Sequence, residues 1–334
     1  MAEAFAIDMV ADDRAASDNW RAVRFARYAW GVVAYNIAVV IWGAYVRATG
    51  SGAGCGSHWP LCNGEVIPRA PEVETLIEFT HRVTSGLALL LVIGLFFWAR
   101  RLYGRGHIVR RSATLSLLFI ITEALIGAGL VLFELVAHDR SLARALSLAA
   151  HLVNTFILLA VMSLTAWWAQ TGNGVDFARR KPQAAMLAIA LAATLVVGMS
   201  GAVAALGDTL FPVDSLREGI RQDFSETAHF LVRLRILHPT LAVAASVYLL
   251  VLAGSLAFWR REASVRRLAL LTATLVIVQL CAGFVNLLLL APVWMQLVHL
   301  LLADLLWLAL VLLAASVLAR SAHATRPALV QQRA

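Results

Sequence analysis

Apolar stretches of about 20 residues recur along the whole chain, and each is long enough to cross a hydrocarbon layer of roughly 30 Å. They fall near residues 28–45, 80–98, 113–133, 148–168, 184–206, 234–258, 268–290 and 297–318. Lipid offers no partner to an unpaired N–H or C=O, so segments of this kind cross a membrane as helices rather than as isolated strands. The sequence therefore predicts an all-α integral membrane protein with eight transmembrane helices. Composition agrees, with 60% of the 334 residues hydrophobic and only 14% charged, too few charges to cover a soluble protein of this length. The net charge of +8 does not point to nucleic acid: Lys181 is the lone lysine among 28 basic residues, and most arginines sit in short clusters between apolar runs. Such clusters set membrane orientation; lipid is the expected partner, and no nucleic acid is.

Counting basic residues by side gives 19 for the N-terminal tail, the even-numbered loops and the C-terminal tail, against 9 for the other side. That excess places both termini in the cytoplasm. Residues 1–28 are polar and mixed in charge and lack an apolar signal core, so no cleavage is expected. The outward first loop, about 46–79, and fifth loop, about 207–233, are the long ones, and long loops in compact proteins tend to be functional.

The pattern restarts halfway. Gly43-Ala-Tyr-Val-Arg-Ala-Thr-Gly at the end of the first span is similar to Gly201-Ala-Val-Ala-Ala-Leu-Gly at the end of the fifth, and Ile126-Gly-Ala-Gly-Leu-Val is similar to Cys281-Ala-Gly-Phe-Val. Four spans return the chain to its starting side, so the halves would be parallel repeats about an axis along the membrane normal. The predicted organisation is a cytoplasmic tail (1–28), a four-helix bundle (29–169), a cytoplasmic linker (170–183), a second, pseudo-symmetric four-helix bundle (184–318) and a cytoplasmic tail (319–334).

Four of nine histidines fall inside apolar spans: His81, His151, His238 and His299. Each lies near the start of an even-numbered span, and those spans enter from the outer side. At about 1.5 Å per residue the four imidazoles share one depth in the outer half of the bilayer. Any one alone reads as a polar side chain bonded to a neighbouring helix. Four at a common depth, two per half, read as ligands, because an intramembrane ionisable group is a functional candidate and two imidazoles on facing helices can grip one haem iron from both sides.

Glu78 lies three residues before His81, on the same helix face, with Arg82 next. A carboxylate there can orient a ligand or move protons; it can equally be an interfacial charge favoured by the helix dipole. Glu-x-x-His also occurs in di-iron bundles, and Glu226-Thr-Ala-His229 is a second copy, but the only span-three carboxylates are Glu123 and Glu134, and His229 lies outside the spans. Cys55 and Cys62 share the first outer loop, where an oxidising exterior permits a bridge; thiol exchange with a partner or haem attachment stays open, although Cys-x-x-Cys-His is absent. Cys281 is inside the seventh span, as a small packing residue.

Together these stretches resemble the haem A synthase family: Gly43-Ala-Tyr-Val-Arg-Ala-Thr-Gly-Ser-Gly-Ala-Gly-Cys, Trp59-Pro-Leu-Cys-Asn-Gly, Glu78-Phe-Thr-His-Arg, His151-Leu-Val-Asn-Thr and Gln296-Leu-Val-His299-Leu. The likeness runs from about residue 29 to 318. It implies a membrane oxidoreductase of the cell inner (plasma) membrane that oxidises the C8 methyl of haem O to a formyl, through a hydroxymethyl intermediate, giving haem A for terminal oxidases. It places substrate haem between His81 and His151 and a resident haem B between His238 and His299. It makes Glu78 the catalytic or pocket carboxylate, and Cys55 with Cys62 a disulfide that could be redox-active. Arg47 and Arg82 are suited to haem propionates, which match a guanidinium fork. Implied partners are a haem O synthase (a farnesyltransferase), cytochrome oxidase assembly and an unspecified electron donor; homo-oligomerisation is left open.

The chain departs from the family pattern in lacking a second outer cysteine pair, in carrying Cys-Gly-Ser-His58-Trp-Pro, and in having Glu123 where glutamine is usual while Gln279 keeps it. The rival readings are a di-haem, quinol-oxidising cytochrome b-like electron carrier without haem-modifying chemistry, and a transporter or assembly factor without a cofactor.

Overall fold

The structure is a computed structural model that describes residues 2–172, 174 and 180–319, with side chains from residue 20 onward. The predicted linker is therefore described only in part, and nearly all of the predicted C-terminal tail lies outside the described residues. Eight helices are long and apolar enough to span a membrane, at Trp20–Ala48, Val73–Leu102, Ile108–Leu132, Leu142–Thr171, Lys181–Leu210, Phe230–Trp259, Ala263–Leu288 and Val293–Val317. The expected spans lie inside these helices or overrun them by one or two residues, and the helices extend past the apolar runs because their polar ends reach the interface. Among the described residues there is no strand; Cys62 and Glu65 form an isolated bridge.

In chain order the helices are α1 (Ala2–Ala48), α2 (Val73–Leu102), α3 (Ile108–Leu132), α4 (Leu142–Thr171), α5 (Lys181–Leu210), α6 (Leu216–Asp223), α7 (Phe230–Leu234), α8 (Leu237–Trp259), α9 (Ala263–Leu288) and α10 (Val293–Val317), with a 3-10 turn at Ser51–Ala53. The polar N-terminal segment is helical and continuous with the first span in α1. The fifth loop is not irregular either, since it carries α6 and α7. Span six breaks at Arg235–Ile236. Pro239 has no N–H to give the Arg235 carbonyl, which accepts from His238 N at 3.3 Å instead, as a proline inside a helix requires.

Within the first half α1 packs on α2 and α4, α2 on α3, and α3 on α4. The second half repeats the scheme, α5 on α8 and α10, α8 on α9, and α9 on α10. Between lipid-facing helices apolar burial supplies no drive, so association rests on close packing and interhelical hydrogen bonds. The α1–α2 seam is an example. Tyr28, Tyr35 and Trp42, spaced by seven, donate to the carbonyls of Leu91 (2.8 Å), Thr84 (3.1 Å) and Ile77 (3.3 Å), also spaced by seven. The halves meet where α4 packs on α5 and α10 and where α1 packs on α10. Phe156 stacks on Trp307 with ring centres 5.1 Å apart, and the Trp307 indole donates to the Phe156 carbonyl at 2.6 Å.

Candidate functional site

The four intramembrane histidines sit in the N-terminal parts of α2, α4, α8 and α10, and each faces a glycine on the neighbouring odd-numbered span. A Cβ placed on Gly43 would lie 2.9 Å from the His81 ring, one on Gly201 2.9 Å from His238, one on Gly283 3.0 Å from His299, and one on Gly127 3.8 Å from His151. These glycines lie in the repeated motifs, so the repetition seen in sequence is a repetition of imidazole seats. The seats also fix the register between the halves. Gly127, not Gly129, is the counterpart of Gly283.

His238 and His299 have ring centres 6.3 Å apart at an interplanar angle of 88°. Two metal–imidazole bonds of about 2 Å each, extended to the ring centres, need roughly that separation. His81, His151 and Glu123 lie within electrostatic range of one another. The donor set fits a bis-histidine metal group on a further count: the Nδ1 atoms of His81 and His299 are buried without a hydrogen-bond partner, although buried polar atoms are nearly always paired. Three other ring nitrogens have polar neighbours. His238 Nδ1 meets the Ser200 hydroxyl at 3.2 Å. His299 Nε2 meets Gln279 Nε2 at 3.3 Å, and His151 Nε2 meets Glu123 Oε1 at 3.0 Å.

Glu78, three residues before His81, is buried and has both oxygens engaged. Oε2 accepts from Cys55 N at 2.8 Å, while Oε1 accepts from Arg82 Nε at 3.1 Å and Nη2 at 2.5 Å. Arg82 Nη1 in turn donates to the carbonyls of His58 (2.6 Å) and Leu61 (2.7 Å). The Glu78–Arg82 pair thus clamps the loop that the Cys55–Cys62 disulfide closes. Gly54 lets that loop reach α2, since a Cβ there would fall 2.5 Å from the Glu74 backbone, and Thr75 Oγ1 secures it to the Gly54 carbonyl at 2.7 Å. The structure therefore gives Glu78 and Arg82 an internal, loop-holding arrangement.

Arg47, at the end of α1, reaches across to the second half. Nη1 donates to the Ala205 carbonyl (2.9 Å) and the Thr209 hydroxyl (2.8 Å), and Nη2 to Gln296 Oε1 at 2.8 Å. Gln296 precedes His299 by one helical turn, so Arg47 sits beside the ligand helix of the other half. Arg235, one turn before His238, is held between Asp208 Oδ1 (3.2 Å) and Asp223 Oδ1 (2.8 Å); burial pushes the Asp223 carboxyl up and Arg235 opposes it.

Among the described residues no three His, Cys, Asp or Glu side chains converge as a metal cluster. His229 begins α7 and stacks on Phe211 at 5.0 Å. Two polar groups went unassigned in the sequence. Glu123 is bonded to His151, a contact that spacing on two different helices could not give. Asp304 is fully buried in α10, five residues beyond His299, and neither oxygen has a partner. An acidic residue in the middle of the last apolar run was the available signal.

The chain is similar to several known proteins. The family model described as cytochrome oxidase assembly protein matches residues 26–311. A Thermus thermophilus protein named protoheme IX farnesyltransferase is 53% identical over 299 residues, which cover 90% of this chain and 49% of that protein. A heme A synthase of Halalkalibacterium halodurans is 48% identical over 97 residues, 29% of this chain and 33% of that protein. One from an Exiguobacterium species is 44% identical over 96 residues, 29% of this chain and 32% of that protein. The chain spans about half the length of the Thermus relative and matches about a third of the other two.

Proposed function

The chain belongs to the cytochrome oxidase assembly protein family, and on that premise we propose that it is a haem A synthase. It oxidises the C8 methyl of haem O to a formyl, through a hydroxymethyl stage, and releases haem A for terminal oxidases. The chain works as two four-helix units, 29–169 and 184–318, in the inner membrane with both termini cytoplasmic. His81 and His151 hold the substrate haem O in the first unit. His238 and His299 hold haem B in the second, where that group supplies electron transfer when bound.

The observation that carries this reading is the pair of imidazole seats: in each half, a glycine of the first helix and a glycine of the third receive the histidines of the second and fourth, and in the second half the rings stand 6.3 Å apart. Arg47 and Gln296 hold the end of α10 and so the height of His299. The Glu78–Arg82 clamp fixes the disulfide loop above the first site, where it shields the substrate edge from water; Glu78 acts there by positioning. The name of the Thermus relative fits the same picture, because a protein twice as long has an unmatched half for farnesyl transfer. A farnesyl transfer to protohaem yields the prenylated haem that this chain would consume, which also names its supplier as a haem O synthase.

The test is co-expression with a haem O synthase, then haem extraction and an absorption spectrum of the purified protein. Haem A or its hydroxymethyl precursor, together with a sharp low-spin reduced α band, is the expected result. Two haems with an unchanged haem profile would point to an electron carrier instead, and no bound haem would remove the reading altogether.

A further inference from the structure

The two fourth-helix histidines are held by chemically different partners. In each half a residue of the third helix bonds the histidine Nε2, four residues before the glycine that seats the same ring. In the second half that residue is the amide Gln279, at 3.3 Å, and its Oε1 is buried without a partner. In the first half it is the carboxylate Glu123, at 3.0 Å. Glu123 Oε2 also accepts from Asn154 Nδ2 at 2.5 Å, and Oε1 meets the Thr155 hydroxyl. Asn154 is itself fixed, donating to the Phe119 carbonyl at 2.9 Å and accepting from Thr122 at 2.6 Å. Asn154 and Thr155 follow His151 by three and four residues. At the same offsets from His299 stand Leu302 and Ala303, which offer no such donors. The first half is built around a carboxylate, and the second is not.

A carboxylate that accepts from a ligand histidine orients the ring and raises its electron donation to a metal, and hydrogen bonding to axial ligands is one of the levers on haem potential. We propose that Glu123 is a positioning residue that holds the reduction potential of the first-half haem below that of the second-half haem. The proposal rests on the haem-binding reading above. Its consequence would be an equilibrium order of reduction: with both haems bound, the first electron added by an external reductant would reside on the second-half haem rather than on the first.

The test is a spectroscopic redox titration of the protein carrying both haems, with His299→Ala used to assign the two components. E123Q makes the first site resemble the second, and its component should shift upward while the other stays in place. E123D should keep most of the native separation. Q279E should move the second component downward, which tests the rule without touching the first site. N154A, which loosens the carboxylate but leaves His151, should shift the first component part of the way. Unmoved midpoints in E123Q and Q279E, at unchanged haem content, would overturn the proposal. Wild-type protein without two bis-histidine haems would instead overturn the function on which it rests.

Discussion

Gly201→Ala tests the imidazole seats with one added methyl group. The new Cβ would lie 2.9 Å from His238 Cε1, 3.2 Å from Nδ1 and 3.5 Å from Nε2. Comfortable carbon–carbon contact is about 3.5–4.0 Å, so ring or helix must yield by roughly 0.6–1.1 Å. Metal–ligand distances keep within about 0.2 Å of their usual values. Overpacking of this kind costs about 1–3 kcal/mol, and the ring cannot retreat toward His299 without closing the 6.3 Å gap that a metal bound on both sides needs. G201A is therefore expected to fold but to lose second-half haem or convert it from low spin, read as a weakened or shifted α band at equal protein concentration. Two controls use the same substitution. At Gly127 the Cβ would sit at an ordinary 3.8 Å from His151, and at Gly86 it would meet nothing within 4 Å. G127A should nearly retain its haem, and G86A should gain about 0.5–1 kcal/mol of helix stability. A native spectrum in G201A, or equal loss in G127A, would refute the steric argument.

Removing the disulfide with C55S/C62S should lower stability by about 2–3 kcal/mol from the loop it closes, seen as earlier thermal unfolding and faster proteolysis of the first loop. R82Q and E78Q should each cost about 3–5 kcal/mol, because each leaves a buried partner unpaired. The double variant should cost much less than their sum, and additivity in that cycle would deny the clamp. R47Q breaks three hydrogen bonds across the halves and should lower the thermal midpoint and the second-half haem content while sparing the first. D304L replaces a buried carboxylic group that has no partner and should stabilise the fold by about 1–3 kcal/mol; a drop in the unfolding midpoint would show that Asp304 has a partner in the working protein.

The membrane topology was legible residue by residue. Each run such as 184–206 is continuous and about as long as the bilayer is thick, and that requirement acts locally, so eight helices followed without knowledge of how they pack. The placement of His81, His151, His238 and His299 in the N-terminal parts of even-numbered spans was legible for the same reason, since the span boundaries follow from local composition. The glycine motifs were legible as repeats, but not as seats, because which residue of Gly127-Ala-Gly129 faces an imidazole depends on helix rotation. The break before His238 could be traced to Pro239 only once the Arg235 carbonyl was seen to change donor.

What the sequence determined by itself is how many helices are long and apolar enough to cross, where along them the histidines lie, and that its motifs repeat. Rise per residue and the demand of lipid for satisfied backbone are enough for that. Tertiary structure alone decided that Arg47 bonds to the opposite half, that Glu78 and Arg82 bond to the disulfide loop, and that Glu123 meets His151. Those contacts join residues far apart in the chain, and a side chain's partner there is set by how neighbouring helices rotate and dock, which no one-dimensional spacing encodes.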